Sequence, residues 1–93
     1  KEVSAQASLL DTRWAKGYAD RHGKRFGMME QGVEWGDGSA ASSTRQAEQL
    51  LDMLELAAEL KPETFLYCDT QGPIDSRLTD KAAAAYKEFL ANA

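Results

Sequence analysis

The sequence predicts an α+β fold: a small single domain with about three helices and a short, mostly antiparallel sheet. Three stretches carry that expectation. Residues 43–60, STRQAEQLLDMLELAAEL, repeat their apolar positions at helical spacing. Thr64-Phe65-Leu66-Tyr67-Cys68 is a compact β-prone run, read as a strand over about 64–68. Residues 79–91 repeat alanine and larger apolar residues at helical spacing behind Thr79, a good N-cap.

The first stretch is the expected centre of the core. Ala47, Leu50, Leu51, Leu54, Ala57 and Ala58 form one stripe. Met53, Leu56 and Leu60 widen it to an arc of about 220° on a helical projection. A surface helix buries less, so this one should be covered on most of its circumference. Ser43 and Gln46 have the spacing of a capping box at its start. Its end is set by Pro62, which disfavours helical backbone at Lys61.

Before it, residues 8–22 are expected to form a helix, capped by Ser8 and ended by Gly23 in a left-handed C′ position. Ala7, Leu10, Trp14 and Tyr18 stack at helical spacing, and Lys16 can pair with Asp20 one turn on. Gly17 weakens this reading, and a hairpin turning through residues 20–23 competes with it. Residues 24–35 read as extended, with a reversal at Glu30-Gln31-Gly32. Trp14 and Trp35 are expected to plug the core, and Met28-Met29 to pack beside Phe26. After the strand, Asp69 to Pro73 is a loop. The last helix, about 79–91, should turn Leu78, Ala82, Ala85, Tyr86, Phe89 and Leu90 inward.

A chain of 93 residues fits one domain, 1–93. It starts with Lys rather than Met, so the expectation is a fragment or a processed chain. Cys68 is the only cysteine, which excludes an intrachain disulfide and a cysteine-based zinc cluster. A cytoplasmic setting is the simplest fit to one cysteine; a periplasmic or secreted one stays open, because the true N-terminus is not seen. No apolar run approaches the length of a membrane span.

Charge is distributed unevenly along the chain. The net charge is −4. Residues 1–29 hold six basic residues (Lys1, Arg13, Lys16, Arg21, Lys24, Arg25) against three acidic ones, and the remainder is strongly acidic. On the central helix Glu48, Asp52, Glu55 and Glu59 fall within about 60° of one another. Like charges at spacings of three and four cost about 0.2–0.5 kcal/mol per neighbouring pair. The ridge therefore does not stabilise the isolated helix. It is either a solvated face or a surface that meets cations, in this chain or in a partner. Arg13 and Lys16 are the internal rivals for that role.

Chemistry-bearing motifs are sparse. The only histidine is His22, and no ligand set has metal spacing, so no metal and no cofactor are expected. Cys68 and His22 are the only Cys–His pair, the first on a strand and the second in a turn. Asp69-Thr70 directly after a strand occupies a common site position, although Asp and Thr there more often close a turn.

The expected function is a non-enzymatic protein–protein interaction module, adaptor or inhibitor-like, that docks an acidic helix face on a basic partner surface. Its candidate residues are Glu48, Asp52, Glu55 and Glu59, with Glu30, Glu34 and Asp37. One alternative is a small enzyme or enzyme subunit with a site at Asp69, Thr70 and Cys68. A second is nucleic-acid binding by Arg13, Lys16, Arg21, Lys24 and Arg25, interleaved with Trp14, Tyr18 and Phe26. The acidic isoelectric point of about 4.9 argues against that alternative.

Overall fold

A computed structural model describes residues 5–67, 69 and 76–92, with side-chain surroundings for those from 11 onward except Met29 and Glu30. The element order is α1 (Ala5–Arg21), β1 (Met28–Gln31), α2 (Ala40–Leu60), β2 (Phe65–Tyr67) and α3 (Asp80–Ala91). Helix dominates, and the three helices lie close to where the apolar spacing puts them.

The competing hairpin over residues 13–29 does not form: α1 is helical through Arg21. Its end is a Schellman motif. The Lys24 N–H donates to Ala19 O at 2.8 Å and the Gly23 N–H to Asp20 O at 3.3 Å, around Gly23 at φ 62°. The start lies before Ser8, which sits within the helix rather than capping it. The larger departure concerns which face turns inward. Trp14 is 66% exposed and Tyr18 47%, whereas Ala19 is buried. Small residues let α1 lie close against its neighbour, and the rings are left outside.

The sheet differs from expectation in direction. β1 and β2 pair in parallel, Met28 opposite Phe65 and Gln31 opposite Tyr67, with an irregularity between. The Met28 N–H donates to Thr64 O at 2.7 Å and the Glu63 N–H to Phe26 O at 2.8 Å. The antiparallel expectation assumed a reversal at residues 30–32. Instead Glu30 and Gln31 belong to β1, residues 32–35 form no strand, and all of α2 separates the two strands. A helical crossover of that length returns the chain to run the same way.

α2 begins one turn earlier than the Ser43–Gln46 spacing implies. Ser39 is its N-cap, and its hydroxyl accepts the Ser42 N–H at 3.1 Å. Gln46 is thus free of capping duty and turns into the core. At the other end Lys61 adopts left-handed backbone (φ 51°, ψ 59°) and donates its N–H to Ala57 O at 2.9 Å, just before Pro62. Left-handed backbone at a non-glycine residue costs about 1–2 kcal/mol, which is how the chain leaves the helix in the face of the proline's restriction.

The core is built on α2. Val33, Ala47, Leu50, Leu54 and Ala82 form its buried centre, and Phe65, Tyr67, Leu78, Tyr86 and Phe89 pack around it. Leu50 and Ala82 are wholly buried, so α2 and α3 meet at small-on-large contacts. The rings of Phe65 and Tyr67 meet Tyr86 edge to face, at 6.5 and 6.3 Å between centroids. Leu56 is also buried but lies outside this cluster. It sits about 60° round the helix from Glu59, on the side where α1 lies. Coverage of α2 on two faces fits the wide apolar arc, although Ala58 stays exposed. At the end of α3, Leu90 is exposed rather than inward.

Candidate functional site

The acidic ridge of α2 divides into two parts. At its C-terminal end, Glu59 takes a bidentate pair with Arg13 of α1: Nη2 donates to Oε1 at 3.0 Å and Nη1 donates to Oε2. Hydrogen bonding from Arg13 holds the Glu59 carboxyl below the usual range and raises the guanidinium. The remaining three, Glu48, Asp52 and Glu55, are exposed and take no hydrogen bond or ion pair among the described residues. α2 thus presents a row of three carboxylates without a partner among the described residues, with the fourth held by the N-terminal helix.

Other basic residues of the front third are also engaged. Lys16 Nζ donates to Asp20 Oδ1 at 2.5 Å, the one-turn pair read from the sequence. Arg25 Nε donates to Glu63 Oε2 at 2.6 Å. Arg21 and Lys24 are exposed and take no ion pair among the described residues. Three of the six basic residues of the front third are therefore held in pairs within the chain.

Glu34 is exposed beside Val33. Asp37 closes the turn that leads into α2. Hydrogen bonds from Ser39, side chain first and backbone second, hold its carboxyl below the usual range. Its Oδ1 accepts the Ser39 N–H at 2.9 Å. The same turn is pinned by Ser42, whose Oγ donates to Trp35 O at 3.1 Å and accepts the Asp37 N–H at 3.2 Å. Asp37 is thus occupied locally, and Glu30 falls outside the residues with described side chains. Cys68 and Thr70 lie outside the described residues. Asp69 is exposed, and its Oδ1 accepts the Leu78 N–H at 2.8 Å, an interaction that ties the chain entering α3. No group of three or more potential metal ligands occurs among the described residues.

An open depression of about 490 Å³ lies where α2 and α3 begin, lined by Trp35, Ala40, Ser43, Leu78, Thr79, Asp80 and Lys81. Arg77 sits over the Trp35 ring at 5.5 Å, and Lys81 Nζ donates to Thr44 Oγ1 at 2.9 Å. The described residues place no third ionisable group beside Asp80 and Lys81 in this lining.

Two features were not read from the sequence. One is the buried amide of Gln46, which organises the start of α3. The other is an aromatic ladder along α1 and the turn that ends it: Trp14 stacks on Tyr18 at 5.6 Å, and Tyr18 meets His22 at 4.2 Å. The helical spacing of Trp14 and Tyr18 was legible and their exposure was not, while His22 is exposed in a turn as its position suggests.

Compared with known proteins, the chain matches no family model, no curated protein and no solved structure. No helix among the described residues is long and apolar enough to cross a membrane.

Proposed function

We propose that the chain is a non-enzymatic interaction module that docks the exposed face of α2 on a basic protein surface. The observation behind this reading is the row of Glu48, Asp52 and Glu55. All three stand exposed on the best-anchored helix of the fold, and none is neutralised by a described residue. Like charges one turn apart raise the energy of the free helix. A partner's cations would relieve that repulsion as they bind, and complementarity of this kind acts mainly on association rate and specificity. Arg13 on Glu59 is the intramolecular example of the contact such a partner would make.

The test is capture from the native host with mass-spectrometric identification, repeated with Asp52→Lys/Glu55→Lys. The partner recovered should present a lysine- or arginine-rich surface. Its association with the variant should slow at least tenfold at low salt, and the difference should shrink as salt is raised. An unchanged association rate sinks the docking ridge. The nucleic-acid alternative has less support, because Arg13, Lys16 and Arg25 already hold carboxylates.

A further inference from the structure

The exposed face of α1 has a pattern that fits itself. Asp11, Trp14, Tyr18 and Arg21 follow one another at spacings of three, four and three residues. That is the seam of a two-helix coiled coil, which repeats every 3.5 residues. All four residues are exposed, with Trp14 and Tyr18 stacked at the centre of the row. Asp11 and Arg21, at its two ends, take no ion pair among the described residues.

The row is acidic at its N-terminal end, aromatic in the middle and basic at its C-terminal end. Turned end over end, it meets its own complement. If two such helices lie antiparallel about a two-fold axis level with Lys16, Trp14 falls opposite Tyr18 of the other copy. Asp11 then falls opposite Arg21 of the other copy. Each contact occurs twice, as an isologous interface requires. No other surface described above offers an apolar centre bounded by opposite charges in that symmetric order. Arg13 lies about 130° round α1 from the seam, so the pair with Glu59 is left undisturbed.

We propose that α1 is a self-association surface, and that its occupant is α1 of a second copy of this chain, bound antiparallel through Trp14 and Tyr18 and aligned by Asp11 and Arg21. The rings have used part of each other's faces, which leaves edges and outer faces to pack against a partner's rings. The seam spans about three turns, so the buried area is small and the dimer weak, with a dissociation constant on the order of 100 µM.

The surface is distinct from the ridge of α2, and its test does not depend on any partner of the ridge. Sedimentation equilibrium of the 93-residue chain between about 10 µM and 1 mM should show a monomer–dimer equilibrium. Asp11→Arg alone and Arg21→Asp alone each set like charges opposite one another at both ends, and each should weaken the dimer tenfold or more. Mixing the two variants restores both opposite-charge pairs and should recover wild-type affinity in the mixed dimer. Trp14→Ala should abolish association while leaving the far-UV circular dichroism of the monomer near that of wild type.

A chain that stays monomeric to 1 mM overturns the proposal. So does a dimer that survives Trp14→Ala, or one that the mixed variants fail to restore, because the copies then meet elsewhere. A monomer whose tryptophan emission responds only to an added acidic peptide or an oligonucleotide would likewise overturn it and assign the ladder to that ligand.

Discussion

Gln46 Oε1 accepts two hydrogen bonds from one residue: the Thr79 backbone N–H at 3.0 Å and the Thr79 hydroxyl at 2.9 Å. Gln46 Nε2 donates to Val33 O at 3.1 Å and to Arg77 O at 2.8 Å. The amide is wholly buried, and all four of its capacities are met. Its orientation follows from its neighbours, since an N–H can only donate and a carbonyl can only accept. Thr79 Oγ1 in turn accepts the Ala82 N–H and caps α3. One side chain of α2 therefore sets where α3 starts.

Replacing Gln46 by Leu keeps the approximate size, leaves the Thr79 N–H and hydroxyl without their acceptor, and takes one donor from Arg77 O and one from Val33 O, which keeps the Tyr67 hydroxyl at 3.3 Å. A buried polar group left without a partner costs about 1–3 kcal/mol. A loss of about 2–3 kcal/mol is expected in urea unfolding at constant m-value, a large share of the stability of a domain this small. Thr79→Val should cost about 1–2 kcal/mol through the lost cap. The two substitutions combined should cost clearly less than their sum.

Gly36 allows no side chain. Its φ is +83°, and a Cβ there would lie 1.7 Å from Ser42 Oγ, the atom that holds the turn before α2. Gly36→Ala should destabilise the chain by about 3 kcal/mol, from backbone strain and displacement of that hydroxyl. Gly36→Ala combined with Ser42→Gly should recover part of the loss, because the clash is removed and the strain at φ remains. Thermal unfolding of the two variants beside wild type checks the order.

Glu59 and Asp37 both have carboxyls held below their ordinary range. A group whose pKa is lowered by folding adds stability above its unfolded pKa, and that contribution fades as pH falls through the folded value. Both contributions are complete at neutral pH and fade as acidification takes the pH below the ordinary carboxylate range. Both side chains are exposed, so the effects are small and weakened by salt. Glu59→Gln and Asp37→Asn should each lower the urea midpoint slightly at pH 7, with the gap to wild type narrowing as the pH falls below the ordinary carboxylate range. A gap that stays constant with pH would mean that the carboxylates contribute packing rather than charge.

Elements that depend on local spacing were legible in the sequence. Gly23 stops α1, and Thr79 caps α3, because those positions need only their own neighbours. Elements decided by the path of the chain were not. The direction of β1 against β2 depends on α2 crossing between them, which no dipeptide signals. Ser43 and Gln46 have valid capping spacing, yet Ser39 is an equally good cap one turn earlier, and the longer helix frees Gln46 for the core. Periodicity placed Trp14 and Tyr18 on one face and could not say that Ala19 would win the inward position. On the candidate ridge, Glu59 is captured by Arg13, one of the two internal cations the sequence offers, while the other, Lys16, holds Asp20 instead.

The tether from Gln46 to Thr79 also gives α3 a direction of failure. Isolated helices unwind from both ends, since each end lacks half its backbone partners. Here the first turn is moored to a buried amide 33 residues away in sequence, while the last turn ends at exposed Leu90, Ala91 and Asn92. Thermal opening of α3 should run from the C-terminus inward, with slow amide exchange at Thr79 and Ala82 and fast exchange at the far end. A helix that would otherwise be a symmetric spring becomes a hinged one, fixed at its root.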